Sequence, residues 1–196
     1  MDSSLNLLAA LAGFAFVTSI TPGPNNLMLL ASGTNFGWRR SLPHLLGISF
    51  GFGVMLLLVG LGLGALFAQA PCLHDGLKWV SLAYLLYLAF KVATAAPPSE
   101  GGQAQGRPMS FGAAALFQAV NPKAWAMALS AVTAYGSLGV AAVTAVFVLV
   151  NLPCCGSWAL LGEQMRRWLH RPQALKAFNW GAAALMLLSV LPLLRG

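Results

Sequence analysis

No charged residue stands between Asp2 and Arg39. A continuous helix over residues 3–38 would reach about 54 Å, nearly twice the ~30 Å hydrocarbon core of a bilayer. The run is too apolar for water and too long for one upright span, so it must tilt, bend or re-enter. The segment Thr21-Pro22-Gly23-Pro24-Asn25-Asn26 marks the place. Proline removes a backbone donor and clashes with the preceding turn, while Gly23 admits conformations closed to other residues.

The rest of the chain has the same character. Of 196 residues, 58% are hydrophobic and only 8% are charged, with a mean hydropathy of +0.75. Soluble domains carry roughly 25% charged residues, so lipid must be the solvent for much of this chain. The net charge of +7 does not indicate a nucleic-acid partner. The cations occupy short gaps between apolar runs rather than a stripe on a polar domain. Without a basic stretch before the first apolar run, a cleaved leader is not expected, and that run should remain as a span.

Six spans are expected, all α-helical, in one membrane domain covering 1–196. The first is the broken run. The second, Leu42 to Ala68, contains two GxxxG pairs, Gly47 with Gly51 and Gly60 with Gly64, which permit close helix packing. Packing within one chain is the simpler use, with a homo-oligomer as the alternative. The third runs from Cys72 to Thr94. A hydrophilic linker, 96–108, then separates a first repeat (1–95) from a second (109–196). The fourth span, Met109 to Tyr135, is interrupted at Asn121-Pro122-Lys123, about 100 residues after the first break. The fifth runs from Val140 to Leu161 and the sixth from Phe178 to Leu194.

Arg39, Arg40, Lys91, Arg107, Arg166, Arg167, Arg171 and Lys176 fall on one side of this arrangement, and only Lys78 and Arg195 on the other. The positive-inside rule makes the first group cytoplasmic and both termini periplasmic. Three spans per half then give two inverted repeats, the first helix of each broken at a proline motif. Paired interruptions of this kind point to the binding site of a secondary transporter.

Lys123 is the deepest charge. It lies about 24 Å along a helix from Arg107 and about 20 Å from Gly136, beyond easy snorkelling. A charge at that depth marks a functional site by default. A helix restarting after Pro22-Gly23-Pro24 would offer free N–H groups and a positive dipole end to a carboxylate. Asn25 and Asn26 bring donors and acceptors, cap the restarted helix, or do both. Gln118 and Asn121 share a helix face with Pro122 between them and Lys123. Gln118 and the lone amide Asn151 serve either as substrate contacts or as interhelical hydrogen bonds.

Absences narrow the chemistry. The only acids are Asp2, Asp75, Glu100 and Glu163, none deep in a span, so no carboxylate pair is available for proteolysis or a metal path. The lack of a buried acid also argues against a dedicated exporter of lysine or arginine. No HExxH or P-loop occurs, and no cofactor or metal is expected. His44, His74 and His170 fall near span ends, where an interfacial position is expected. Proton transfer would have to use Lys123, His44 or Glu163. Cys72, Cys154 and Cys155 make no disulfide framework, but they raise a competing reading, thiol-redox transfer across the membrane, which needs an accessible thiolate.

Thr21-Pro22-Gly23-Pro24-Asn25-Asn26, Gly37 with Arg39-Arg40, Gly47 and Gly51, and Phe117-Gln118-Ala119-Val120-Asn121-Pro122-Lys123 together resemble the LysE/RhtB family of amino-acid exporters. Length, span number and the central linker agree with it. The resemblance implies a multi-pass protein of the bacterial inner membrane. Its partners would be a small amino acid or derivative and the lipid bilayer, and export would run by proton antiport. The first motif and the segment from Pro108 to Tyr135 are similar to the family's cysteine/O-acetylserine exporter branch.

Overall fold

The computed structural model describes residues 2–69, 71–95, 106–169 and 171–189. Every regular element among them is helical. Helix α1 (Asp2–Ile20) and helix α2 (Pro24–Phe36) are one apolar run bent by 56° at the first proline motif. Helix α3 (Trp38–Leu58) continues through a π turn, Val59–Leu63, into α4 (Gly64–Gln69). Gly62 takes φ +113° inside that turn, a left-handed value that glycine tolerates. Helix α5 (Pro71–Ala93) ends the first half.

The second half opens with α6 (Phe111–Phe117), a 3-10 turn (Gln118–Val120) and α7 (Pro122–Tyr135). Helices α8 (Val140–Arg166) and α9 (Pro172–Leu188) follow. Helix α9 begins six residues before the expected Phe178, because Pro172 starts it and Arg171 is extended. A proline at the first helical position has no donor to waste and a φ already suited to the helix. The stretch containing Lys176 is therefore helix rather than loop.

Three described helices are long and apolar enough to cross a bilayer: Trp38–Leu63, Gly76–Ala93 and Val140–Arg166. The bent pair Ser4–Ile20 with Pro24–Phe36 makes a fourth. Most of the linker (96–105), with Glu100, lies outside the described residues, as do His170 and Arg195. The side chains of Cys72, His74 and Asp75 lie outside them too.

Polarity is distributed inside out. Leu61, Leu116, Leu149 and Trp180 are exposed, while Asn26, Gln118, Asn121, Asn151 and Asn179 are buried. That suits an apolar solvent outside and hydrogen-bonded amides within. Helix α2 is almost wholly buried and lies against α8. Glycine makes this contact possible: a Cβ on Gly33 would sit 2.0 Å from Ala159 O, and one on Gly162 would sit 2.1 Å from Leu30 O. On α3, a Cβ on Gly47 would meet Phe111 O at 2.3 Å and one on Gly51 would meet Ala115 O at 2.6 Å. Gly60 and Gly64 face the Val140 and Leu129 side chains of the same chain.

Candidate functional site at the two helix breaks

In a helix each N–H binds the carbonyl four residues back. Pro24 therefore deprives Ile20 O of its donor, and the chain turns away before Ser19 and Thr21 can be served. Three side chains take over. The Trp158 indole N–H on α8 donates to Ile20 O at 3.1 Å. The Asn26 amide donates to Ser19 O at 2.7 Å and to Thr21 O at 2.9 Å. The Lys123 ammonium donates to Thr21 O at 2.6 Å. Asn26 thus reaches back to the end of α1; neither asparagine occupies the N-cap of α2, which is Gly23 and has no side chain to accept from the first-turn N–H groups.

The second break is resolved more locally. Pro122 removes the donor for Gln118 O, and Asn121 N supplies it at 3.2 Å in a 3-10 turn. Lys123 N turns to the Asn121 side chain at 3.2 Å. Its abandoned acceptor, Ala119 O, takes the Trp125 indole N–H at 2.8 Å. Each break thus has an orphaned carbonyl satisfied by a tryptophan.

The two breaks meet. Besides the Lys123–Thr21 bond, the Asn25 amide donates to Gln118 Oε1 at 2.9 Å and the Gln118 amide donates back to Asn25 Oδ1 at 3.2 Å. Beside them, Asn151 donates to Ser19 Oγ at 3.3 Å and accepts from Ser49 Oγ at 3.1 Å. The Cys155 thiol donates toward Asn26 Oδ1 at 3.3 Å. Between these groups lies a cavity of about 20 Å³, lined among others by Ser19, Asn26, Asn121, Lys123, Asn151 and Cys155. That is room for about one water molecule.

A chamber of about 470 Å³ lies further along α2, lined by Met28, Ser32 and Asn35 together with His44, Lys91 and Arg107. His44, expected near a span end, is buried within the bundle. It sits in the second turn of α3, 2% exposed, because α2 and α6 close over that face. Of the three proton-transfer candidates, only Lys123 touches the breaks. His44 lines the larger chamber, and Glu163 faces Gly37 at the α2–α3 junction.

Cys154 and Cys155 are free and buried. Cys155 is held as a hydrogen-bond donor within the polar cluster rather than presented as an accessible thiolate.

Ser19, Ser49, Cys155 and Trp158 belong to the site but were not expected there. One signal existed: Cys155 falls four residues after Asn151, on the same helix face. Trp158 falls three residues before the expected end of the fifth span, where it reads as an interfacial aromatic, and only the longer observed helix places it deeper.

Apolar helices broken around a shared polar cavity, with a lysine bridging the breaks, define a membrane translocator. Residues 16–195 match the family described as LysE type translocator, and the chain belongs to that family. It is 35% identical over 168 residues to the cysteine/O-acetylserine efflux protein of Escherichia coli (strain K12), covering 82% of this chain and 85% of that one. The proteins of the same name from Shigella sonnei and Shigella flexneri are equally similar, at 35% over the same shares of each chain. No solved structure matches the chain.

Proposed function

We propose that this protein is a secondary exporter of small neutral amino acids or their close derivatives across the bacterial inner membrane, binding its substrate where the two helix breaks meet. The observation that carries this reading is the Lys123 ammonium on Thr21 O at 2.6 Å, which joins breaks 102 residues apart. The family and the efflux proteins at 35% identity support the substrate class.

The exposed carbonyls at the end of α1 form the negative end of a helix dipole, and the start of α2 the positive end of the next. Once the centre opens, a zwitterion would be oriented between them. Its ammonium would take the carbonyls of Ser19 and Thr21, and its carboxylate the first turn of α2. In the present conformation Lys123 fills the ammonium's place. An incoming substrate would displace it, and the freed ammonium would then pair with the substrate carboxylate. Displacement also gives Lys123 a moment to lose or gain a proton, which suits antiport.

The bundle would consist of six spans in two inverted repeats, 1–95 and 109–196, joined by the linker 96–108, with both termini periplasmic. Helix pairing supports this arrangement. Helix α1 lies on α8, its counterpart α6 lies on α3, and α5 pairs with its counterpart α9. The 20 Å³ cavity corresponds to a closed centre, so loading requires the bonds of Lys123 and of the Asn25–Gln118 pair to open.

Counterflow of a panel of labelled amino acids in proteoliposomes tests the reading. Small neutral amino acids should exchange, and Lys123→Met should reduce exchange by at least about tenfold, the worth of one charged hydrogen bond. Unchanged flux in that variant would remove Lys123 from the mechanism.

A further inference from the structure

We propose that the 470 Å³ chamber is a second binding site, for the carboxylate of a small amino acid, with Lys91 and Arg107 as its cations and His44 as its buried hydrogen-bonding group. The choice of an amino acid as ligand rests on the export reading above. The preference for an anion rests on the chamber alone.

Size comes first. The central cavity admits about one water, whereas this chamber falls within the ~300–1,000 Å³ typical of small-molecule sites. The two share no lining residue. Charge comes second. The described lining contains two cations and a histidine but no acid, and Lys91 Nζ sits 5.5 Å over the Tyr87 ring. A carboxylate is favoured there and a lone amine is not.

His44 supplies the third and most specific observation. Both its ring nitrogens are buried without a hydrogen-bond partner. The other buried polar groups on the wall are satisfied. Asn35 exchanges bonds with Asn179 at 2.9 and 3.2 Å, and Ser32 shares a hydrogen bond with Ser41 at 2.8 Å. Unpaired buried polar atoms are rare and call for an explanation, of which a bound partner is one. A carboxylate held at the basic rim would supply one.

The chamber also adjoins the central site through a short chain of contacts. Met28 on its wall lies one helical turn beyond Asn25. Tyr84, also on the wall, packs against Phe117 at 5.7 Å between ring centroids, and Phe117 precedes Gln118, the partner of Asn25. A ligand in the chamber therefore waits beside the amide pair that closes the centre. The orientation proposed above puts this chamber on the cytoplasmic side, where an exporter loads.

Equilibrium binding of labelled O-acetyl-L-serine to the purified full-length protein should give two sites per chain, and Lys123→Met should leave one. Adding Lys91→Gln and Arg107→Gln should weaken the remaining site at least about tenfold, and His44→Phe should do so more than His44→Gln. In vesicles with the basic face outward, the Lys91→Gln, Arg107→Gln protein should show KM raised about fivefold more than kcat is lowered. A merely structural defect would not produce that split. Loss of all binding in Lys123→Met, an unchanged KM in the rim variant, or no binding by the wild type would overturn the proposal. Two-site binding without transport would instead overturn the export reading and leave the chamber site standing.

Discussion

Replacing Gly23 by alanine tests whether the position of the Lys123 ammonium, not just its presence, matters. Gly23 has φ −176° and ψ 178°, extended backbone that any residue adopts, so the substitution brings no conformational strain. Its new Cβ would lie 2.7 Å from Lys123 Cδ and 3.2 Å from Nζ, where ordinary contact begins at 3.4 Å. The lysine chain must withdraw by at least about 0.7 Å, carrying Nζ off Thr21 O. Both close neighbours are side-chain atoms, so the chain yields and the fold persists. A hydrogen bond to a charged group is worth ~1.5–3 kcal/mol, and the lower end applies because Lys123 is only partly buried. That corresponds to about a tenfold fall in flux. The assay is exchange in proteoliposomes for Gly23→Ala, Lys123→Ala and the double variant. In the double variant the methyl occupies space the lysine has vacated, so its flux should match that of Lys123→Ala alone. Wild-type flux in Gly23→Ala, or losses that multiply in the double variant, would refute the reasoning.

Three further outcomes follow from the packing. Gly33→Ala places its methyl 2.0 Å from Ala159 O, a backbone atom that cannot swing away, and should cost at least ~1–3 kcal/mol, measured by thermal unfolding in detergent. Trp158→Phe keeps the ring but leaves Ile20 O without the indole donor. It should cost ~1–3 kcal/mol in the same assay, with loss of flux if the break loosens. Replacing Cys72, Cys154 and Cys155 by serine should preserve most exchange, since a hydroxyl at 155 can still donate to Asn26. Abolished flux with normal membrane abundance would revive the thiol-redox reading.

The breaks themselves were legible, because proline deletes a donor wherever it stands and glycine between two prolines cannot sustain a helix. Pro22-Gly23-Pro24 and Asn121-Pro122 are both interruptions in the structure, and Lys123 and Asn25 are where the breaks touch. What the sequence did not reveal is who answers the orphaned carbonyls. Ile20 O is served by Trp158 and Thr21 O by Lys123, partners more than 100 residues away that only the assembled bundle brings near. The burial of His44 was hidden for a related reason. Distance from a span end measures depth in the bilayer, not whether a neighbouring helix lies over that face. The early start of α9 was obscured by Lys176, which reads as loop until Pro172 is recognised as a helix opener.

The mutual carboxamide clasp of Asn25 and Gln118 imposes a chemical condition on any passenger. Each partner gives one hydrogen and takes one, so parting them leaves Asn25 short of a donor and an acceptor at once, while Gln118 keeps its bond to Ala114 O at 2.9 Å and a long one from Asn121 at 3.5 Å, next to the rings of Phe117 and Tyr84. A simple anion would console the donors and abandon the oxygens, and a simple amine would do the opposite. A molecule that offers both donors and acceptors, as a zwitterion does, would restore both, so under the proposed function discrimination among passengers would begin in the act of opening.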